Sequence, residues 1–215
     1  MTMLRLHGYW RSSAAYRVRI ALALKGLSYT QTGHDLRTNG HKEAAYRAIA
    51  PAGLVPALET DEDVFVQSLA IIEWLDETYP HPPLLPPDAT GRVIVRGMAQ
   101  TIACDIHPLN NLRILRYLKS DLGASQEVID GWAARWIGDG FAALEKMIAR
   151  HGGVFAYGDA PTLADCLTVP QAYNAARFGV DLSPYPRLMA TVERVRAIDA
   201  VAAAHPDRQP DADRA

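Results

Sequence analysis

Leu4-Arg-Leu-His7 predicts a short strand, and Ser13-Ala-Ala-Tyr-Arg-Val-Arg-Ile-Ala-Leu-Ala-Leu-Lys25 predicts the helix that follows it. Gly26 closes this helix, because glycine readily adopts the backbone angles at which helices end. Residues 28–34 predict a second strand. A strand, a helix and another strand in this order form a parallel pair joined by a right-handed crossover. The chain therefore begins as an α/β unit.

The rest of the first half continues this alternation. A charged turn at 61–63 separates two β-like runs and predicts a hairpin. The helix that follows the hairpin is predicted to end at Pro80. The further predicted elements are a helix at 42–49, strands at 55–59 and 64–66, and a helix at 68–79. The order is βαβαββα, in which the hairpin adds an antiparallel edge to a small sheet covered by helices.

A proline-rich segment separates this half from a second half of different character. Five prolines lie between residues 80 and 87, and because proline lacks an amide donor, the segment is expected to be a semi-rigid connector. We therefore predict a first domain at 1–80, a linker at 81–90 and a second domain at 91–215.

The second domain carries helical spacing and few β-branched runs. Helices are predicted at 91–118, 125–150, 161–178 and 186–204, so this domain is expected to be all-α. Thr162-Leu-Ala-Asp165 is a capping-box pattern, in which two side chains accept amides of the first helical turn. We assign that pattern to folding rather than to catalysis. The polar residues 205–215 are expected to fray.

Composition and charge exclude several classes of protein. The chain has 215 residues, 49% of them hydrophobic, and a formal net charge of -2, which offers no footprint for nucleic acid or an anionic membrane. Its apolar runs fall short of the ~20 residues of a membrane span, and residues 1–9 lack the apolar core of a signal peptide. We expect a cytoplasmic protein. Cys104 and Cys166 form no metal-binding or redox pattern, and both are expected to be buried.

Three groups of residues are candidates for chemistry, and the first is Arg11-Ser12-Ser13 between the first strand and helix. A hydroxyl at a helix N-terminus lies beside amide donors and the positive end of the helix dipole, where a thiolate or another anion is stabilised. A serine there can equally be a simple N-cap worth ~1 kcal/mol to the helix. The pattern alone favours the cap.

The second group comprises Val55-Pro56 and Gln67-Ser68. A cis bond before Pro56 would turn the preceding backbone outward to pair with an extended ligand. The free amides that begin the helix at 68–79 could hold a carboxylate. A trans bond and a capping serine are the simpler interpretation, and the pattern alone favours it.

The third group is the polar insert 105–113 within a helical segment, together with a lone Arg177. Pro108 would kink this helix, and kinks often border clefts. From the pattern alone, His107 is better explained as a satisfied surface or core residue than as a catalytic one.

Longer motifs resemble the zeta class of glutathione transferases over about residues 4–210. The runs specific to that class are Ser12-Ser-Ala-Ala-Tyr-Arg-Val-Arg-Ile-Ala-Leu22 and Gln67-Ser-Leu-Ala-Ile-Ile-Glu73, whereas Thr162-Leu-Ala-Asp165 is shared across many transferase classes. The resemblance implies a thioredoxin-like α/β N-terminal domain, an all-α C-terminal domain and a homodimer. It also implies an isomerase of the maleylacetoacetate or maleylpyruvate type, which uses glutathione without consuming it.

The resemblance assigns roles to individual residues. In such a protein Ser12, with Ser13 beside it, stabilises the glutathione thiolate, and His107 assists orientation or proton handling. The other implied glutathione contacts are His41, Val55, Pro56, Gln67, Ser68, Asn110 and Asn111. Arg11 and Arg177 occupy positions at which the family binds the carboxylates of a small dicarboxylate substrate, and arginine suits that task because its guanidinium pairs bidentately with carboxylates.

This sequence departs from the zeta pattern at three positions. Ala14 and Tyr16 stand where the family usually has Cys and Trp, and Leu112 replaces a second Arg of the maleylpyruvate type. Thiol addition does not need the missing Cys if glutathione supplies the sulfur, but the choice of substrate stays open. The alternatives are a transferase or dehalogenase acting on small α-halo acids, and a non-catalytic glutathione-fold binding protein.

Overall fold

The computed structural model describes residues 3–213 of the chain. Within this range the chain forms two compact units, one of residues 3–84 with 197–213 and one of residues 85–196. The break after residue 84 falls inside the proline-rich segment. The predicted second domain at 91–215 is thus divided, because its last residues pack with the first unit.

The first unit contains a four-stranded mixed sheet. Its strands are β1 (Arg5–Gly8), β2 (Thr30–Gly33), β3 (Ala57–Glu59) and β4 (Val64–Val66), in the spatial order β2-β1-β3-β4. β1 is parallel to β2, while β3 is antiparallel to both β1 and β4. The predicted parallel pair with an antiparallel hairpin at its edge is confirmed.

Three helices accompany this sheet: α1 (Ser13–Leu24), α2 (Ala44–Ile49) and α3 (Ser68–Thr78). α1 and α3 pack against each other and bury large apolar side chains, among them Ile20, Leu22, Ile71 and Leu75. The observed order is the predicted βαβαββα. α1 ends where expected, since Gly26 has a left-handed φ of 64°.

The second unit is helical, as predicted. Its helices are α4 (Ala89–Gln100), α5 (Leu112–Ser120), α6 (Gln126–His151), α7 (Leu163–Arg177) and α8 (Pro186–Arg196). The capping box forms at the start of α7, where the Asp165 carboxylate accepts from Thr162 N and Oγ1 and from Ala156 N. Burial raises the pKa of Asp165 to about 6. None of the helices within residues 3–213 is long and apolar enough to cross a membrane.

The predicted continuous helix at 91–118 is interrupted. A π-helical segment, Thr101–Ile106, follows α4 and is succeeded by a short non-helical stretch that contains Pro108. The wide π turn directs Ile102 and Ile106 inward and leaves Cys104 exposed. The expectation that both cysteines are buried is therefore wrong for Cys104, and it holds for Cys166.

The chain returns to the first unit after α8. The predicted helix at 186–204 breaks, and a short helix α9 (Asp199–Ala203) packs against α1. A 3-10 turn, Pro206–Arg208, follows it. The expectation that residues 205–215 fray is wrong for 205–213, because the carboxylates of Asp211 and Asp213 are hydrogen-bonded to the rest of the first unit, and residues 214 and 215 lie outside the described range.

Candidate functional site

The sheet register brings three separate candidate segments to one end of the first unit. Ala57, the first residue of β3, lies opposite His7 of β1 and Val66 of β4. The chain leaving β1, the residues before β3 and the residue after β4 therefore lie at the same end of the sheet. α1 and α3 also begin there. Neither helix has an acidic residue in its first turn to offset the positive end of its dipole.

Ser12 is the N-cap of α1. Its Oγ accepts a hydrogen bond from Ala15 N at 3.2 Å, and its own N–H donates to Tyr9 O at 2.9 Å. A hydroxyl has one proton and two lone pairs, so accepting from Ala15 leaves the Ser12 proton available for donation to an anion. The cap and the anion-binding role that sequence reasoning treated as alternatives are thus compatible. Ser13, the first residue of the helix, is buried.

Arg11 precedes this cap and is half-buried. Its guanidinium lies 5.3 Å from the centroid of the Trp10 ring. A guanidinium over an aromatic face is held by cation–π attraction, which does not use its N–H donors. The residue can therefore still pair with a carboxylate.

Val55 and Pro56 are joined by a cis peptide bond, so the trans bond that the pattern alone favoured is wrong, and both residues precede β3. The adjoining carbonyl of Leu54 accepts from the Tyr46 hydroxyl at 2.7 Å. Gly53 has a φ of 57°, and a Cβ there would stand 2.9 Å from the carbonyl oxygen of His41. This close approach brings the buried His41 beside the loop that carries Val55.

Gln67 and Ser68 begin α3. Gln67 has a φ of 70°, which is uncommon for a non-glycine residue and a recognised feature of functional positions. Ser68 is buried, and its Oγ accepts from Arg17 Nη1 at 3.1 Å. As at Ser12, the accepted bond leaves the Ser68 proton for donation, and the free amides at the start of α3 are further donors to which a carboxylate could bind.

Arg17 is a site residue that sequence reasoning missed. It is only 2% exposed, and its cation lies behind Ser68 at the end of the sheet described above. Removing a charge from water is costly, so a buried cation is expected to have polar partners. The sequence did contain a sign of this role, because Arg17 and Arg19 are charged residues in the otherwise apolar run of α1.

A histidine pair also escaped prediction. His7 Nδ1 lies 3.1 Å from His34 Nε2, and His7 Nε2 lies 3.0 Å from Glu59 Oε2. The His34 ring packs at 4.0 Å from the Tyr46 ring. Burial, followed by the nearby His7, lowers the pKa of His34. Through Tyr46 this cluster supports the loop before Val55.

The remaining candidates lie in the second unit. Asn110 is buried and donates from Nδ2 to Asn174 Oδ1 at 3.2 Å, while Asn111 caps α5 by accepting from Arg113 N at 2.9 Å. His107 is half-buried at the end of the π-helical segment, and Arg177 is an exposed residue at the end of α7. Both asparagines thus have structural roles besides any contact with a ligand.

Known proteins resemble this chain over nearly its whole length. Residues 6–83 match the family model "Glutathione S-transferase, N-terminal domain". A maleylpyruvate isomerase of Ralstonia sp is 47% identical over 210 residues, which cover 97% of this chain and 99% of that protein.

Solved structures give the same assignment. A maleylpyruvate isomerase described as a bacterial glutathione S-transferase of the zeta class superposes with a TM-score of 0.95 at 47% identity, covering 97% of this chain and 100% of that one. A maleylacetoacetate isomerase of Anaeromyxobacter dehalogenans 2CP-1, with glutathione bound in its active site, superposes with a TM-score of 0.90 at 48% identity and covers 99% of each chain. The thioredoxin-like first unit, the helical second unit and these similarities lead to one conclusion: the chain belongs to the zeta class of glutathione transferases, the family of the maleylacetoacetate and maleylpyruvate isomerases.

Proposed function

We propose that this protein is a glutathione-dependent cis-trans isomerase that converts maleylpyruvate or maleylacetoacetate into the fumaryl isomer during the breakdown of aromatic compounds. The observation that carries the proposal is the pair of serines at one end of the sheet. Each hydroxyl accepts a hydrogen bond from the protein, at Ser12 from an amide and at Ser68 from a buried arginine, and each keeps a proton to donate.

The donor set of the first unit fits glutathione. The tripeptide carries a thiol, an extended backbone and two carboxylates. Ser12 with the α1 N-terminus suits a thiolate, the backbone at Val55 suits the peptide, and Ser68 with Gln67 suits the γ-glutamyl carboxylate. His41, which lies beside the Val55 loop, is proposed to contact the glycyl end. When bound, glutathione would supply a thiolate that adds to one carbon of the substrate double bond; the single bond so formed can rotate, and departure of the thiolate restores the double bond in the trans form.

The chain's own residues then bind, orient and stabilise charge. Ser12 donates its proton to the sulfur and lowers the pKa of the thiol, with Ser13 helping to shape the turn. Arg11 and Arg177 are proposed to pair with the substrate carboxylates, and His107 to assist orientation or proton handling. Asn110 and Asn111 are proposed as further glutathione contacts of the second unit.

Ala14 bears on the source of the sulfur. Its side chain is a methyl group on the first turn of α1, so the protein has no thiol at this position. A thiol addition at this site therefore depends on a bound thiol compound. We expect activity without glutathione to be undetectable.

The test follows the ultraviolet decay of maleylpyruvate and of maleylacetoacetate, with and without glutathione, while free thiol is counted. Turnover that requires glutathione and leaves the thiol count unchanged supports the isomerase, and the ratio of the two rates names the substrate. Stoichiometric loss of thiol with α-halo acids, without isomerisation, would instead favour a conjugating transferase or dehalogenase. Failure to bind glutathione in calorimetry would favour a non-catalytic binding protein.

The quaternary state and location complete the proposal. We propose a cytoplasmic homodimer, on the basis of the family alone. Sedimentation equilibrium of the purified protein tests the dimer: a mass near twice the 23.6 kDa of the chain supports it, and a monomer at assay concentrations contradicts it.

A further inference from the structure

The backbone of Trp10 is held on both sides. Tyr9 O accepts from Ser12 N, which closes a four-residue turn with Trp10 at its centre. The Trp10 N–H donates to Asp211 Oδ2 at 2.9 Å, and the Trp10 carbonyl accepts from Arg19 Nη2 at 2.9 Å. Both backbone polar groups of Trp10 are thus hydrogen-bonded to side chains outside the turn. The turn delivers Ser12 to the start of α1.

Both of these side chains are tied to the last residues of the chain. Arg19, fully buried in α1, also donates from Nε to Ala204 O at 3.0 Å. Asp211 belongs to that segment itself, and its Oδ1 accepts from Gln31 Nε2 of β2 at 2.7 Å. Gly33 makes room for it, because a Cβ there would stand 3.0 Å from the Asp211 side chain.

A second carboxylate of the same segment, that of Asp213, is linked to the turn through Arg37. Asp213 accepts two hydrogen bonds from Arg37, at 2.6 and 2.9 Å, and the Arg37 guanidinium lies 5.9 Å from the centroid of the Tyr9 ring. These groups are substantially exposed, so water and salt weaken their interaction. The half-buried bond from Trp10 to the Asp211 carboxylate is the stronger restraint, since a charged acceptor strengthens a hydrogen bond.

We propose that residues 204–213 form a strap that positions the turn Tyr9–Ser12, with Asp211 as the positioning residue for the Ser12 hydroxyl. The inference rests on the proposed function of Ser12. A hydroxyl stabilises a thiolate only at hydrogen-bond distance, and displacement of a catalytic group by about 1 Å can cost on the order of a hundredfold in rate. Loosening the strap therefore impairs thiolate formation before it impairs folding.

The experiment compares Asp211→Ala with Asp207→Ala, which removes the same charge four residues away in the strap, where the carboxylate is mostly exposed and lies beside His205. The thiol pKa of bound glutathione is measured from its thiolate absorbance as a function of pH, alongside the Kd of glutathione and the kcat for isomerisation of maleylpyruvate. For Asp211→Ala we expect a thiol pKa raised by about one unit, a kcat lowered about tenfold and a Kd changed less than about threefold. Asp207→Ala is expected to match the wild type in all three, and Asp211→Asn, which keeps an acceptor for Trp10 N–H, to recover most of the shift.

The outcomes separate this inference from the proposed function. Ser12→Ala is measured in the same series: if it raises the thiol pKa and Asp211→Ala does not, the strap has no positioning role. If Ser12→Ala leaves the thiol pKa unchanged, the role proposed for Ser12 has failed instead, and the inference fails with it. Should Asp211→Ala not fold, Gln31→Met decides. It removes the second partner of Asp211 without changing a residue of the turn. We expect the thiol pKa to rise by less than the one unit expected for Asp211→Ala. An unchanged thiol pKa would contradict the positioning role of the strap.

Discussion

At the scale of single residues, Ser12 and Ser68 have the same hydrogen-bonding arrangement. Each hydroxyl accepts one hydrogen bond, from Ala15 N or from Arg17, which holds its oxygen in place and leaves its proton for donation to a ligand. A side chain that is oriented in advance loses less conformational entropy when it binds a ligand. Under the proposed function, this orientation lowers the entropic cost of binding glutathione.

Ser12→Ala tests the role of the Ser12 hydroxyl, which is proposed to stabilise the glutathione thiolate. We expect kcat/KM to fall about 10²- to 10³-fold, as when one donor to a developing anion is removed, while stability falls by ~1 kcal/mol with the lost cap. Ser125→Ala is the matched control, because Ser125 caps α6 in the same way by accepting from Val128 N. It should lose similar stability and keep full activity. Equal activity in the two variants would contradict the role of Ser12.

Arg17→Met tests the carboxylate end. The substitution keeps an unbranched apolar stem and removes the buried cation that orients Ser68. A hydrogen bond from the Ser68 hydroxyl to the charged glutathione carboxylate is worth ~1.5–3 kcal/mol and depends on this orientation, so we expect the Kd of glutathione, measured by calorimetry, to rise about 10- to 100-fold. Arg150→Met on the exposed face of α6 makes the same change of charge and should leave the Kd as it is. A wild-type Kd for Arg17→Met would exclude this contribution.

At the scale of elements, the π-helical segment and α6 depend on one glycine. A Cβ on Gly140 would collide with Ile106 Cδ1 and Cγ1, so the close contact between these elements requires the absence of a side chain. The π turn directs Ile106 into this contact, and the segment that carries His107 follows directly. The packing of one residue thus determines where a candidate functional residue lies within the second unit.

Two glycines of α6 provide a matched pair of substitutions. Gly140→Ala should lower the free energy of unfolding by about 1–3 kcal/mol through overpacking. Gly131→Ala meets no atom within 4 Å and should raise it by ~0.5–1 kcal/mol, because alanine favours the helix. Denaturant unfolding measures both. If Ile106→Ala fails to relieve the loss in the Gly140→Ala background, the collision is not its cause.

At the scale of the whole molecule, titrating groups link stability to pH. The folded His34 has a lowered pKa because of burial and of the neighbouring His7, so below about pH 6.5 the unfolded chain binds more protons than the folded one. The contribution of His34 to stability is therefore complete above pH 6.5 and is lost as the pH falls. Asp165 acts in the opposite sense, since its raised pKa lowers stability as the pH rises from about 4 to about 6.

The difference between the wild type and His34→Gln isolates the histidine, because Asp165 is present in both. We expect the free energy of unfolding of the wild type to fall more steeply than that of His34→Gln between about pH 7 and pH 5.5. Denaturant titrations at a series of pH values measure the two curves. Parallel curves would show that His34 does not resist protonation in the folded protein.

The sequence alone determined the order of elements in the first half of the chain, the parallel pair with its hairpin, the helical character of the second half and the capping box at Thr162. These features depend on hydrophobic spacing, proline and capping residues, which act over a few neighbouring positions. The family motifs added the candidate residues Ser12, Val55 and Gln67, whose convergence the sheet register then explained.

Only the tertiary structure decided the rest. The exposure of Cys104, the partner of Arg17 and the packing of residues 205–213 against the first unit all depend on contacts between positions far apart in the chain. Polar composition predicted a frayed end, but Asp211 meets Trp10 across 201 positions of sequence. No local pattern encodes such a contact, because the acceptor and the donor are neighbours only in the folded first unit.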